Sequence, residues 1–418
     1  MTSAITFPAW VIGLMSGTSM DGVDAALLYT DGEHIAHPGA SLTLPYDEEL
    51  RRSTLALMKG EGDKAAIAHA LTLRHYEAVE ALIQQSGVPR AEIKLIGFHG
   101  QTIRHAPHEG ITEQIGDAAW LAAKTGIPVV ADFRSNDVRH GGQGAPLVPL
   151  YHAVHAETLP KPVMVVNIGG VANVTWIGAG QRHILAFDCG PGNALIDDWM
   201  RRHTGAAHDE GGAAAARGRV DNARVADFLR DGFFARPAPK SLDRHHFSLD
   251  LVAGLSLEDG AATLTAMTAA AIAASVKQVP APPLQWLITG GGRHNATLMR
   301  MLEEVVASGG WQVAGGKRKK FGLAGAGFTN PDPPPQQGGS RSEQLPHHLP
   351  LVTCHLPPTN ILPVESVGWN GDALEAEAFA YLAVRSVKGL PLTLASTTGV
   401  SRPVSGGVFY PASGADGS

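Results

Sequence analysis

Cysteine is nearly missing from this chain: Cys189 and Cys354 are the only two among 418 residues, which rules out a disulfide framework and fits a reducing compartment. There is no excess of basic residues. A formal charge of -6 argues against a nucleic-acid partner. The first ten residues, MTSAITFPAW, have neither a basic start nor a long apolar run, so no signal peptide, membrane span or membrane partner is expected and the cytoplasm is the expected location. A Walker loop is also missing, because no Gly-Lys-Ser/Thr follows the first glycine-rich turn. With 44% apolar residues, the chain can bury a sizeable core and has the length of a two-domain protein.

Among the features present, the segment from Val11 to Leu28 carries the most information: two apolar runs joined by a turn of small, hydroxyl-bearing and acidic residues. Gly17 and Gly22 let the backbone approach a ligand, and Thr18 and Ser19 supply hydroxyl donors. Asp21 and Asp24 would repel a bare phosphate, so the turn from Gly17 through Met20 and Val23 to Asp24 suits a nucleotide only with a hydrated Mg²⁺ beside Asp21. Read alone, it is better explained as a tight hairpin whose acids face solvent. Two further glycine-rich turns change that balance: Asn167 to Gly170 within a hairpin spanning 163–177, and Gly290-Gly291-Gly292 after an apolar run. Three such turns from distant segments suggest a nucleotide cleft between two lobes, the first spanning 1–155 and the second 156–418.

Elsewhere the pattern alternates as in an α/β protein. Helical spacing covers 63–83 and stops at Gly87, and 93–98 reads as a buried strand leading to His99 and Gln101. A helix over 116–126 precedes a strand over 127–132 that delivers Asp132 and Arg134 to its carboxyl end, where ligands gather in open α/β sheets. In the second half, 184–188 reads as a strand, and helices are expected over 194–202, 261–277, 295–306 and 371–388. From 309 to 358 the chain turns rich in Gly, Pro and polar residues, the composition of a disordered insertion.

Six motifs occur in order: MSGTSMDG (15–22), GFHGQT (97–102), ADFR (131–134), NIGGVAN (167–173), FDCGPGN (187–193) and GGGRHN (290–295). Together they resemble the anhydro-N-acetylmuramic acid kinase family of the actin and sugar-kinase superfamily. The resemblance implies a two-lobed actin-like, ribonuclease H-like ATPase fold. It also implies ATP with Mg²⁺, and a small amino sugar as partner. The implied reaction opens the 1,6-anhydro bridge of 1,6-anhydro-N-acetylmuramic acid and phosphorylates O6, giving N-acetylmuramic acid 6-phosphate in cell-wall recycling. Gly290 to Gly292 would then lie near the adenosine. Monomer and homodimer both remain open.

Asp188 ends a strand before the Gly190-Pro191-Gly192 turn and is the candidate general base. A helix-capping role for it is less fitting, because Asn193 sits nearer the helix start. Arg134 suits the lactyl carboxylate, with Asp132 orienting it, and His99 and Gln101 suit sugar hydroxyls or the acetamido group. Glu375 matches a family position expected to face the sugar. Cys189 reads as packing, and the adjacent pairs His245-His246 and His347-His348 point apart, which disfavours zinc. Two rival functions fit the same fold: a hexose or amino-sugar kinase without ring opening, and a non-catalytic nucleotide-dependent switch.

Overall fold

A computed structural model describes residues 5–17, 20–180, 183–244, 246–309 and 360–412. In the first lobe β1 (Ala9–Ser16), β2 (Gly22–Thr30) and β3 (Ile35–Pro45) form an antiparallel meander. Parallel to β1 runs β4 (Ile93–Ala106); β5 (Ile111–Ile115) folds back on its far half, and β6 (Val129–Ala131) lies parallel beside it. The second lobe repeats the scheme: β7 (Val163–Ile168), β8 (Val171–Ile177) and β9 (Ile184–Pro191) meander, and β10 (Gln285–Thr289) and β11 (Asn360–Pro363) add parallel strands beyond β7. In each lobe, therefore, the first hairpin turn and the carboxyl ends of the parallel strands lie on the same edge of the sheet.

The chain then returns to the first lobe. Helix Leu374–Val387 packs on β1, β2 and β4, and β12 (Val408–Tyr410) pairs antiparallel with β6. The expected division, with all of 156–418 in the second lobe, does not hold for this last segment. That helix is buried on nearly every side, so its apolarity alone does not say which sheet it covers. Gly13 and Gly97 make the choice: a Cβ on Gly13 would stand 1.7 Å from the Ala376 carbonyl oxygen, and one on Gly97 would stand 2.1 Å from that of Phe379.

Three apolar clusters follow from this layering. The middle one joins Val11 and Leu95 of the first sheet to Val163, Val165 and Leu287 of the second, with helix Leu374–Val387 between them. Outer clusters cover the opposite faces, one under helices Lys64–Ser86 and Ala118–Thr125, the other under Ala194–Thr204, Leu257–Ala274 and Ala296–Ala307. Local signals set the helix ends: Asp63 accepts from the Ala65 and Ala66 amides, and Gly87 closes its helix in the left-handed region at φ 68°. The segment Leu257–Gln278 is long and apolar enough to cross a membrane, but 83% of its most apolar window is buried inside the protein, as befits a core helix. Of the expected insertion only Gly309 lies among the described residues; Cys354 and the pair His347-His348 lie outside them.

Candidate active site

The first-lobe turn is braced from beneath. Ser16 Oγ donates to Gln101 Oε1 (2.5 Å) and meets the Tyr46 hydroxyl at 2.7 Å, while Gln101 Nε2 donates to the Gly17 carbonyl at 3.3 Å. Gln101 is fully buried, so the structure uses it to shape the turn rather than to face a sugar; the pairing of Ser16 with Gln101 across β1 and β4 places it there. Met20 closes the turn with φ 58°, its side chain buried in the outer cluster beside Val23. Of this motif, Met20 and Val23 thus offer a ligand only backbone. Thr18 and Ser19 lie outside the described residues. Asp24 accepts from Thr43 Oγ1 at 2.6 Å. Burial pushes its carboxyl up to about 6 against the Thr43 hydrogen bond, with Asp21, Glu375 and Asp372 adding negative charge around it.

Across the cleft, the Gly169-Gly170 turn is held by the amides of Asn193 (2.7 Å to the Gly169 carbonyl) and Gly192 (3.0 Å to that of Gly170). Asn193 stands at the helix start but does not cap it: its Nδ2 donates to the Ile168 carbonyl at 3.0 Å. A Cβ at Gly169 or Gly170 would meet nothing closer than 3.6 Å, so the protein's own packing does not demand glycine there; close approach of a ligand would. Gly290 differs, with φ 77° and a would-be Cβ 2.3 Å from Asn167 Oδ1. It seats the triple-glycine turn against the hairpin.

Register arranges the rest of this wall. Asn167 pairs with Asn173 and Asn173 with Asp188, so the three side chains share one face of the sheet. Asp188 Oδ2 accepts from the Leu242 amide at 2.8 Å, and its own amide donates to the Lys240 carbonyl at 2.9 Å. Burial pushes the Asp188 carboxyl up to about 7, opposed by the Leu242 N–H and the Lys240 ammonium. Its neighbour Cys189 points into the core, donating to the Ala172 carbonyl at 3.3 Å, and burial raises its thiol far above the usual range. Packing, not nucleophilic chemistry, is its role.

Arg134 and Glu375 bring the first-lobe side to this wall. Glu375 Oε1 accepts from Asn167 Nδ2 at 3.0 Å, and burial raises its carboxyl against the pull of Arg134. Arg134 donates through Nε to His99 Nε2 (3.0 Å) and through Nη1 to the Gly144 carbonyl (2.7 Å). His99 is therefore neutral, with its proton on Nδ1, and burial followed by the Arg134 charge holds its pKa well below the usual value. Asp132 does not orient Arg134 as expected. At φ 57° its Oδ1 instead accepts from the Ser135 amide at 3.2 Å, just ahead of the short helix Ser135–Arg139. With His99, Ser135, Glu113 and Tyr410 it lines a first-lobe cavity of about 240 Å³ to which the wall holding Asp188 contributes nothing.

Asp24 is thus influenced by Asp21 and Glu375, contacts run from Asn167 through Glu375 and Arg134 to His99, and Asp188 shares the sheet face of Asn167. Sequence reasoning passed over Asn173, Asp137, Lys240 and Leu242; the last acts through its backbone amide, which leaves no signature in residue type. Among the described residues no group of three or more His, Cys, Asp or Glu could by itself hold a metal ion. Two lobes that each turn a glycine-edged hairpin toward a cleft walled by carboxylates define an ATP-dependent sugar phosphotransferase.

The family model "Anhydro-N-acetylmuramic acid kinase" matches residues 9–326 and 337–412. Proteins of that name from Rhodospirillum rubrum and Acidiphilium cryptum are 47% and 48% identical over 408 and 406 residues, covering 96% and 95% of this chain and 94% and 96% of theirs. A third, from Rhizorhabdus wittichii, is 44% identical over 96% of this chain and 98% of its own. The chain belongs to the anhydro-N-acetylmuramic acid kinase family.

Proposed function

We propose that this protein opens the 1,6-anhydro bridge of 1,6-anhydro-N-acetylmuramic acid with water and phosphorylates O6 from ATP, releasing N-acetylmuramic acid 6-phosphate and ADP. The observation that carries this reading is Asp188: a cleft-wall carboxylate with one oxygen pinned by Leu242 and a pKa near neutrality. Its ionised form takes a proton from water as the water oxygen bonds to the anomeric carbon. The C1–O6 bond breaks, and O6 attacks the γ-phosphorus as the β,γ-bridging oxygen leaves with ADP. A carboxylate at this place also stabilises the positive charge that develops at the anomeric carbon.

Phosphoryl transfer asks mainly for positioning and neutralisation of charge. The hairpin from Gly17 to Asp24 and the turn at Asn167, Gly169 and Gly170 would supply backbone N–H groups on the two sides of the phosphates, and the adenosine would rest at the turn of Gly290 to Gly292, where Gly291 is exposed and Gly292 is buried against Ile168. Asp24, whose carboxyl burial raises to about 6 with Asp21, Glu375 and Asp372 adding negative charge, fits beside a hydrated Mg²⁺. Asp21 and Asp24 would hold the ion through its waters, and when bound it neutralises the β- and γ-phosphate oxygens. Arg134, already aimed by His99 and Gly144, takes the lactyl carboxylate, and His99 and Glu375 contact the sugar. The reaction is placed in the cytoplasm, where ATP is available.

Mass spectrometry of the product formed from Mg-ATP and the anhydro sugar in oxygen-18 water, quenched early, tests the assignment. A phosphorylated sugar labelled at the anomeric hydroxyl, absent with Asp188→Asn, is the expected result. Phosphorylation without uptake of water would overturn it in favour of a kinase that leaves the ring intact.

A further inference from the structure

The segment that holds Asp188 is tied to both lobes. On the second-lobe side, Lys240 is buried, and its Nζ donates to the carbonyls of Phe233 (2.9 Å) and Arg236 (3.0 Å) while lying 4.5 Å from the Phe233 ring centre. Arg236 Nη2 donates to the Ser241 carbonyl at 3.0 Å. These bonds fix where 240–242 begins. They do not reach the first lobe.

Ser241 does. Its Oγ donates to Gln143 Oε1 at 2.7 Å, and Gln143 stands in a first-lobe loop that is itself heavily pinned. The Gln143 amide donates to the Thr398 carbonyl at 2.7 Å, and Thr398 Oγ1 donates to Asp137 Oδ2 at 2.6 Å. Asp137 is buried, and its Oδ1 accepts from the Gly144 amide at 2.6 Å. Gly144, next to Gln143, receives Arg134 Nη1. A continuous series of bonds therefore runs from the guanidinium aimed at the cleft to the residue beside Leu242, whose amide holds Asp188 Oδ2.

We propose that Gln143 and Ser241 are positioning residues for the reaction: the hydrogen bond between them lets the first-lobe loop anchored by Arg134 hold segment 240–242, which sets the direction of Asp188. This inference rests on the reading of Asp188 as the general base. Because Leu242 occupies Oδ2, Oδ1 is the oxygen left to accept the proton of the attacking water, and its direction depends on how firmly 240–242 is held. Neither Gln143 nor Ser241 needs to touch the substrate. The link makes binding of a carboxylate at Arg134 and orientation of the base parts of one closed arrangement.

The test uses the full chain with Mg-ATP and the anhydro sugar, and compares Ser241→Ala, Gln143→Leu, their double variant and Ser241→Thr. A misplaced catalytic group lowers rates by one to two orders of magnitude, so each single variant is expected to lower kcat about 10-fold with KM for ATP unchanged. The acid limb of the pH–rate profile should move upward as the Leu242 amide loosens, with Lys240 the charged group facing Asp188. The double variant should be no worse than either single one, and Ser241→Thr, which keeps the hydroxyl, should recover most of the rate. Single variants with wild-type kcat and an unmoved acid limb, or losses that multiply in the double variant, would overturn the proposal. Asp188→Asn separates the two readings. If it is inactive while Ser241→Ala is normal, only the positioning role falls; if it turns over normally, the base assignment itself falls.

Discussion

Asp188 shows how much a single side chain's surroundings decide. In water a carboxylate of this kind titrates near 3.8; at the cleft wall, burial moves it to about 7, so a measurable fraction is protonated at neutral pH. Two outcomes follow from the sign of that shift. The base role proposed for Asp188 needs the ionised form, so kcat/KM should fall on the acid side with a midpoint near 7, read from a pH–rate profile of the free enzyme. Stability runs the other way. A carboxyl whose folded pKa lies above its unfolded value binds more protons when folded, so folding loses stability as pH rises through the window between the two values. Asp188→Asn removes that ionisation and should melt at a higher temperature than the wild type at pH 8, with the gap closing toward pH 4, while its turnover drops by roughly two to four orders of magnitude. Equal melting differences at both pH values would contradict the burial argument.

For the elements, glycine placement decides which surfaces meet. Gly13 on β1 and Gly97 on β4 let helix Leu374–Val387 lie directly on the first sheet, with its own backbone oxygens where side chains would otherwise stand. Gly13→Ala would drive a methyl carbon into the Ala376 carbonyl, a backbone atom that cannot rotate away. The expected loss is about 3 kcal/mol or more, toward the upper end for overpacking, measured by urea or thermal unfolding. Gly169→Ala, where the nearest atom stands at 3.6 Å, should leave stability nearly intact, and any loss there should appear in ATP binding. The helical spacing over 63–83, its stop at Gly87 and both hairpins could be read from local patterns, because each depends on residues close in sequence. Strands β3, β5 and β12 could not. Their residues carry no strong period, and pairing with a neighbouring strand is what makes them strands.

At the scale of the whole molecule, the two sheets share a middle layer built around helix Leu374–Val387, so each lobe's position is sensed by the same buried helix that carries Glu375. Arg293, buried after the triple-glycine turn, pairs with Glu365 at 2.9 Å and Asp372 at 2.7 Å and ties that turn to the segment leading into the helix. Asp24 feels the charge of Asp21, Glu375 and Asp372, and although Arg134 and Arg293 offset the last two, the carboxylates at the first hairpin would repel the phosphates of ATP unless a cation intervened. Chelating divalent ions with EDTA is therefore expected to abolish turnover, and excess Mg²⁺ to restore it, in a coupled assay of ADP release. Persistence of full activity in EDTA would contradict the role given to Asp21 and Asp24.

The sequence by itself determined the places where the backbone must turn or approach a ligand, because glycine, hydroxyl and acidic residues act there through local geometry. It also placed Asp188, Arg134 and the three glycine-rich turns in the candidate site. Tertiary structure alone decided what those side chains face. Leu242, which holds Asp188, lies 54 residues away from it; Gln143 and Ser241 are 98 apart, and Asn167 and Glu375 are 208 apart. It also drew Gln101 beneath the first hairpin, turned Asp132 to the Ser135 amide and returned the last helix to the first sheet. The physical reason is the same in each case: a buried polar group must find a partner and an apolar face must find a cover. Which one is available is settled only when distant segments pack.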